Sequence, residues 1–244
     1  MMSFARTDGR AVDEIRATDI KPGFMPYAEG SALIIMGDTR VVCSASLDES
    51  VPRWVRNTGG GWLTAEYSML PRATQTRTAR DSSRGKPAGR AQEIQRLIGR
   101  SLRAIADLKA LGERTIYIDC DVLHADGGTR TAAITGAYVA FALASNKLLK
   151  TGKITRPLMT NQVAAVSVGI VDSTPLLDLK YDEDSRAQVD MNIVCTSEGR
   201  FIELQGTAEK GPFSREQMEE LLALGMRGIE VLIAKQRSII AEAQ

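Results

Sequence analysis

The chain has 244 residues, 43% hydrophobic and 25% charged, with a formal net charge of +1. That length gives one large domain or two small ones, and the balance is ordinary for a soluble globular protein. No apolar run reaches the length of a membrane span, and Met1 to Arg10 shows no signal-peptide core.

Phe4 to Lys21 mixes Arg and Asp without clean periodicity and reads as an arm that packs on something. Tyr27 to Asp48 reads as a hairpin turning at Gly37-Asp38-Thr39. A loop from Asp48 to Gly61 precedes a strand from Trp62 to Leu70. Pro71 to Gly89 is a polar, Arg-rich loop. Arg90 then opens a helix with Ile94, Leu97, Ile98, Leu102, Ile105 and Leu108 on one stripe and Gly112 as its C-cap. A strand follows over 115–123, then a long Ala-rich helix after Arg130. Thr151 to Met159 reads as a link, dividing the chain into lobes at 1–152 and 153–244. The second lobe offers strands at Val163–Val171, Leu176–Tyr181, Gln188–Thr196 and Arg200–Gln205. Its last helix runs from about Arg215 to Ala241, opened by a Ser214/Gln217 capping box. Each lobe is strands followed by helix, an α+β plan.

Cys43, Cys120 and Cys195 lie in apolar, strand-like runs without metal-ligand spacing. Buried, reduced thiols in a cytoplasmic protein are the expectation. The one histidine, His124, excludes a two-histidine nuclease mechanism and has no evident serine partner for a triad. A structural role at a strand end is expected for it. Charge is unevenly spread: Pro71 to Arg103 holds nine basic and two acidic residues, so that window is +7 and the remainder −6. A concentrated basic segment in a near-neutral chain points to a polyanion partner.

Two constellations carry chemistry. At Asp126-Gly127-Gly128-Thr129-Arg130 a strand gives way to a helix. Glycines admit close approach to backbone N–H groups, and a helix start presents unpaired donors. Thr129 adds a hydroxyl and Arg130 a planar charged fork suited to phosphate. The same residues also read as a tight turn with an exposed Arg. Neither GxxxxGK[ST] nor GxGxxG is present, so a small or backbone phosphate is favoured over a nucleoside triphosphate. The second constellation is acidic: Asp182, Glu183, Asp184 and Asp190. Alternation puts Asp190 on one strand face with Gln188 and Asn192, and Asp178 and Lys180 alternate likewise with Leu177, Leu179 and Tyr181. Asp182 and Glu183 read as a solvated turn; Asp184 and Asp190 read equally as part of that turn or as ligands of Mg²⁺ or groups for acid–base work. An anion turn, a basic segment and a carboxylate pair, without an activated Ser, Cys or His, fit phosphoryl transfer with a nucleophile from the substrate side. Inorganic phosphate is the natural candidate.

At this point the sequence resembles the RNase PH family of phosphorolytic exoribonucleases. The resemblance is carried by Gly30–Thr39 (GSALIIMGDT), Gly61–Arg72 (GWLTAEYSMLPR), Gly89–Arg103 (GRAQEIQRLIGRSLR), Ile118–Gly136 (IDCDVLHADGGTRTAAITG), Asp184–Asn192 (DSRAQVDMN) and Glu203–Glu209 (ELQGTAE). It implies a two-lobed fold like ribosomal protein S5 domain 2, and a homo-hexameric ring built as a trimer of dimers. It also implies a 3′-to-5′ exoribonuclease that trims tRNA precursors beyond the CCA end. Phosphate is the co-substrate, nucleoside 5′-diphosphates are released, the reverse reaction adds nucleotides, and rRNA is a further substrate. By the same resemblance Arg90, Gly128, Thr129 and Arg130 bind phosphate. Asp184 and Asp190 are catalytic and hold a divalent metal, Mg²⁺ by preference. Arg72, Arg77 and Arg80 contact tRNA. Arg96, Arg100 and Arg103 stay open between a solvated helix face and subunit contacts. Two rivals are an inactive ring subunit of the same fold and a hydrolytic, metal-dependent RNase.

Overall fold

A computed structural model describes residues 5–80, 83, 85 and 88–243. The first sheet contains β1 (Thr18–Pro22), β2 (Gly30–Met36), β3 (Thr39–Asp48), β4 (Trp62–Met69) and β5 (Thr115–His124), in the order β1-β2-β3-β5-β4. β2 and β3 are runs of apolar and β-branched residues joined by Gly37-Asp38, with Gly37 at the positive φ (+56°) that two-residue hairpin turns require. All pairings are antiparallel except β4 with β5, which therefore needs a crossover. Helix α1 (Gly89–Arg103) lies in that crossover and buries Ile94, Leu97, Ile98 and Leu102 beside β4.

The second sheet is antiparallel in the order β7-β6-β8-β9. Its strands are β6 (Val163–Val171), β7 (Thr174–Leu177), β8 (Val189–Thr196) and β9 (Phe201–Ala208). The last helix (α5, Arg215–Glu242) packs on β6 and β7, and Ser214 and Gln217 form the expected capping box. Between the sheets runs α3 (Thr129–Lys150), touching β2 and β3 on one side and β6 on the other. Its length and mean hydropathy of 1.3 would suit a membrane span, but 78% of that window is buried in the protein's own core. All three cysteines are buried and free.

Four expectations are corrected. The stripe from Ile94 to Leu108 is not one helix. α1 stops at Arg103, and Asp107 starts a separate short helix α2 (Leu108–Leu111) by accepting from Lys109 N and Ala110 N. Gly112 at φ +66° caps that second piece. The run Leu176–Tyr181 is not a strand throughout: β7 ends at Leu177, and a helical turn, α4, spans Tyr181–Asp184. The break falls at Asp178, which takes φ +53° and is fully buried. The N-terminal arm is partly strand, since β1 pairs with β2. Finally, Glu183 is not solvated. It is 1% exposed and forms a two-point ion pair with buried Arg6, at 2.8 and 2.7 Å.

Candidate active site

The site grows from the end of β5. His124 Nδ1 donates to the Asp38 carbonyl (2.6 Å), the structural strand-end role expected of it. The chain then turns through Gly127 (φ +74°) and Gly128 (φ +62°), two successive left-handed residues that only glycine adopts without strain. At Gly127 a Cβ would also lie 2.6 Å from the Leu179 carbonyl oxygen, so glycine lets the first lobe's turn touch the second lobe. Gly128 is the N-cap of α3, with no side-chain cap and no acidic residue in the first turn. Among the described residues, the N–H groups of Gly127, Gly128, Thr129 and Arg130 meet no protein acceptor. A helix start left bare in this way favours an anion.

The side chains converge on the same place. Thr129 is buried, and its hydroxyl accepts from the Tyr67 phenol (2.8 Å). Arg130 donates to Glu93 Oε1 (3.0 Å) and to Gln205 Oε1. Arg90 stands in the first turn of α1, a turn that carries no acidic residue. Arg90, Gly128, Thr129 and Arg130 line one small cavity of about 40 Å³. Ser167, Leu179, Asp184, Asp190 and Asn192 line it too. One water needs roughly a third of that space, so the cavity is scaled to a small anion. It adjoins a cleft of about 670 Å³ that shares Arg90, Gly128, Thr129 and Asp184 and is walled further by Thr74, Gln75 and Thr76. That size suits nucleotides.

The two carboxyls share this lining at an electrostatic disadvantage. Burial pushes Asp184 above its ordinary value, while Arg90 and Arg130 pull it back. Asp190 is pushed up to about 6, first by burial and then by the Asp184 carboxylate. A hard divalent cation fits this donor set: it would relieve both carboxylates, and Mg²⁺ takes one or two such ligands and completes its shell with substrate phosphate and water. Among the described residues no group of three or more His, Cys, Asp or Glu side chains forms a metal cage, so any ion here would depend on substrate oxygens.

The arginines expected to grip RNA stand apart. Arg72, Arg77 and Arg80 are exposed and line neither cavity, although their own segment supplies Thr74–Thr76 to the cleft. Arg84 and Lys86 lie outside the described residues. Arg100 pairs with Glu203 (2.6 Å), and Arg103 lies over the Trp62 ring (4.9 Å). Tyr67, Ser167 and the Arg130 partners Glu93 and Gln205 went unnoticed in the sequence. Tyr67 had a usable signal, because period two within β4 puts it on the inner face with Leu63 and Ala65.

Cationic and backbone donors lining one small-anion-sized space with a carboxylate pair are the parts of an enzyme of phosphoryl transfer. Comparison with known proteins agrees. Residues 14–146 match the model of the 3′ exoribonuclease family, domain 1, and residues 161–228 match domain 2. The ribonuclease PH of Syntrophomonas wolfei subsp. wolfei is 57% identical over 235 residues, 96% of this chain and 98% of that protein. That of Bacillus velezensis is 56% identical, covering 97% of each. The structure of an Archaeoglobus fulgidus exosome with RNA bound to the active site superposes with a TM-score of 0.81 at 23% identity, covering 95% of this chain and 92% of that one. Rice (Oryza sativa) Rrp46 superposes at 0.78 with 17% identity, covering 96% and 100%. At those identities the two structures speak for the fold alone. The chain belongs to the RNase PH family and has its α+β fold. It is a phosphate-dependent 3′-to-5′ exoribonuclease.

Proposed function

We propose that the chain trims nucleotides beyond the CCA end of tRNA precursors, with inorganic phosphate held by Arg90, Arg130, the Thr129 hydroxyl and the N–H groups at Gly128. The observation that carries this is their convergence with Asp184 and Asp190 on one small cavity at the foot of a nucleotide-sized cleft. A phosphate oxygen attacks the phosphorus linking the last two nucleotides. The bond from that phosphorus to the penultimate O3′ breaks, and the last nucleoside leaves as its 5′-diphosphate. The shortened RNA keeps O3′, which takes a proton. Phosphate is a weak nucleophile in water; two guanidiniums and a helix start fix it in line and offset its repulsion by the RNA phosphate. Asp190, raised towards neutrality, is a suitable donor of the O3′ proton. Alternatively, a divalent cation on Asp184 and Asp190 would keep both ionised and itself neutralise charge developing on the leaving oxygen.

Arg72, Arg77 and Arg80 hold the body of the RNA while the single-stranded end enters the cleft; their exposure beside its wall supports this. One loop gives few phosphate contacts, so a homo-hexamer, a trimer of dimers, presents several to one tRNA. The lobes divide at 1–152 and 153–244, a split supported by the spacing of the two family matches. Three buried thiols support a reducing, cytoplasmic location.

The test is product identification on a tRNA with a short 3′ extension and Mg²⁺, with and without phosphate. Diphosphates formed only with phosphate are expected, stopping at the CCA end. Monophosphates made without phosphate would show a hydrolase, and the cavity would then serve to grip the RNA backbone.

A further inference from the structure

The bare N–H groups of the anion turn do not aim themselves. Two adjacent left-handed glycines form a pliable segment, yet each carbonyl in it is tied down from behind. Arg16 Nη1 donates to the Asp126 carbonyl, and both Arg16 Nη atoms lie 3.5 Å from the Gly127 carbonyl. Thr39 Oγ1 donates to that same Gly127 carbonyl (2.7 Å) and accepts from Asp126 N (3.0 Å). In a trans peptide the C=O and the following N–H point to opposite sides. Holding the Asp126 and Gly127 carbonyls towards Arg16 therefore directs the Gly127 and Gly128 N–H groups away from it, to the side where Gly128 lines the anion cavity.

Arg16 is itself immobilised. Asp178 accepts from Arg16 Nε (2.9 Å), Nη2 (2.7 Å) and the backbone N (2.8 Å), and both side chains are buried. The clamp thus joins three parts of the chain: the N-terminal arm, the turn of the first lobe, and the second-lobe segment that runs on into Asp184. Asp126 adds a direct tie, since its carboxylate accepts from Tyr181 N (3.3 Å) at the start of that acidic turn.

We propose that Arg16, with Thr39, is a positioning residue of the phosphate site: it touches no substrate, and its role is to hold the turn's peptides with their donors facing the anion. The inference rests on the reading that phosphate binds at this turn. Its signature is a split between the two substrates. Loosening the clamp weakens phosphate binding and leaves the RNA cleft intact, whereas a merely structural role would lower stability and impair both.

The experiment compares the full-length protein with Arg16→Lys, Thr39→Val and Arg130→Ala. Steady-state phosphorolysis of a short RNA oligomer with Mg²⁺ is measured with phosphate and oligomer varied separately. Arg16→Lys keeps the charge but loses the fork, and Thr39→Val keeps the shape but loses the hydroxyl. Each is expected to raise the KM for phosphate about tenfold, the effect of losing one hydrogen bond. The KM for the oligomer should stay within about twofold. If Arg130→Ala raises the phosphate KM and both clamp variants leave it unchanged, the clamp is refuted and the phosphate reading stands. If all three leave it unchanged, the phosphate reading itself fails and takes the clamp with it. Equal rises for both substrates also overturn the proposal. Should Arg16→Lys not fold, Thr39→Val alone decides, because its readout depends on the same Gly127 carbonyl.

Discussion

Between residues 178 and 190 the chain builds two pairs of carboxylates with opposite electrostatic fates. Asp178 and Glu183 are almost fully buried, and each has an arginine locked on it at two points. Burial raises the Asp178 carboxyl, but the Arg16 guanidinium outweighs that and the net shift is downward. Asp184 and Asp190 are less buried, yet their carboxyls are pushed up, first by burial, because Arg90 and Arg130 only partly compensate and because the Asp184 carboxylate adds to the shift at Asp190. The first pair is satisfied by the protein. The second is left for a ligand to satisfy. Depth of burial alone would have ranked them the wrong way round; the partner decides.

The comparison breaks first at Asp178. Asp178→Ala leaves Arg16 charged, buried and unpaired, and should cost about 3–5 kcal/mol, read from denaturant unfolding at neutral pH. A loss below about 1 kcal/mol would mean that the buried pair is not the tie described. The sign with pH follows. A depressed folded value means that Asp178 stabilises fully above its ordinary value of 3.8 and that this is lost as pH falls through the lower folded one.

Asp190 should behave in the opposite sense. Its value rises from 3.8 to about 6, so its contribution favours folding at low pH and is lost as pH rises through 6. Asp190→Asn should therefore gain up to about 3 kcal/mol of stability at pH 8 and nothing at pH 3. It should also lower kcat by about 10²–10⁴. Millimolar Mg²⁺ added with phosphate should raise the Tm of the unaltered protein at pH 8 above that with phosphate alone, and should not do so for Asp190→Asn. A destabilised but active Asp190→Asn would place that residue among the structural carboxylates.

The smallest effect concerns exposed charges. Arg77→Ala with Arg80→Ala should spare short oligomers, weaken tRNA binding, and lower the slope of log affinity against log salt by about 1–2. Equal losses on both RNAs would move these residues into the cleft.

What could be read in the sequence depended on distance along it. Gly127-Gly128-Thr129-Arg130 announced itself because glycines, strand end and helix start are contiguous. The placement of β5 and β8 followed from local alternation. Arg90 was only a helix opener until family resemblance gave it a partner site. Arg16 and Asp178, separated by 162 positions, left no local trace. Arg6 and Glu183 were hidden by the same cause, as an unperiodic arm and a solvated turn. Asp178 also mimicked strand alternation, because the same period of two arises when a buried charge interrupts an apolar run.

One consequence follows from the burial of α3. It contributes to a single hydrophobic cluster that runs from Ile34 and Val41 through Ala137 and Phe141 to Val166, Ile193 and Leu232. Two sheets welded through one helix have no hinge to bend about. Catalysis in this molecule cannot rely on closure of one half over the other, as it does in many two-lobed enzymes. The distance between the anion turn and the acidic pair is set when the chain folds, and heating should dismantle both halves in one calorimetric transition.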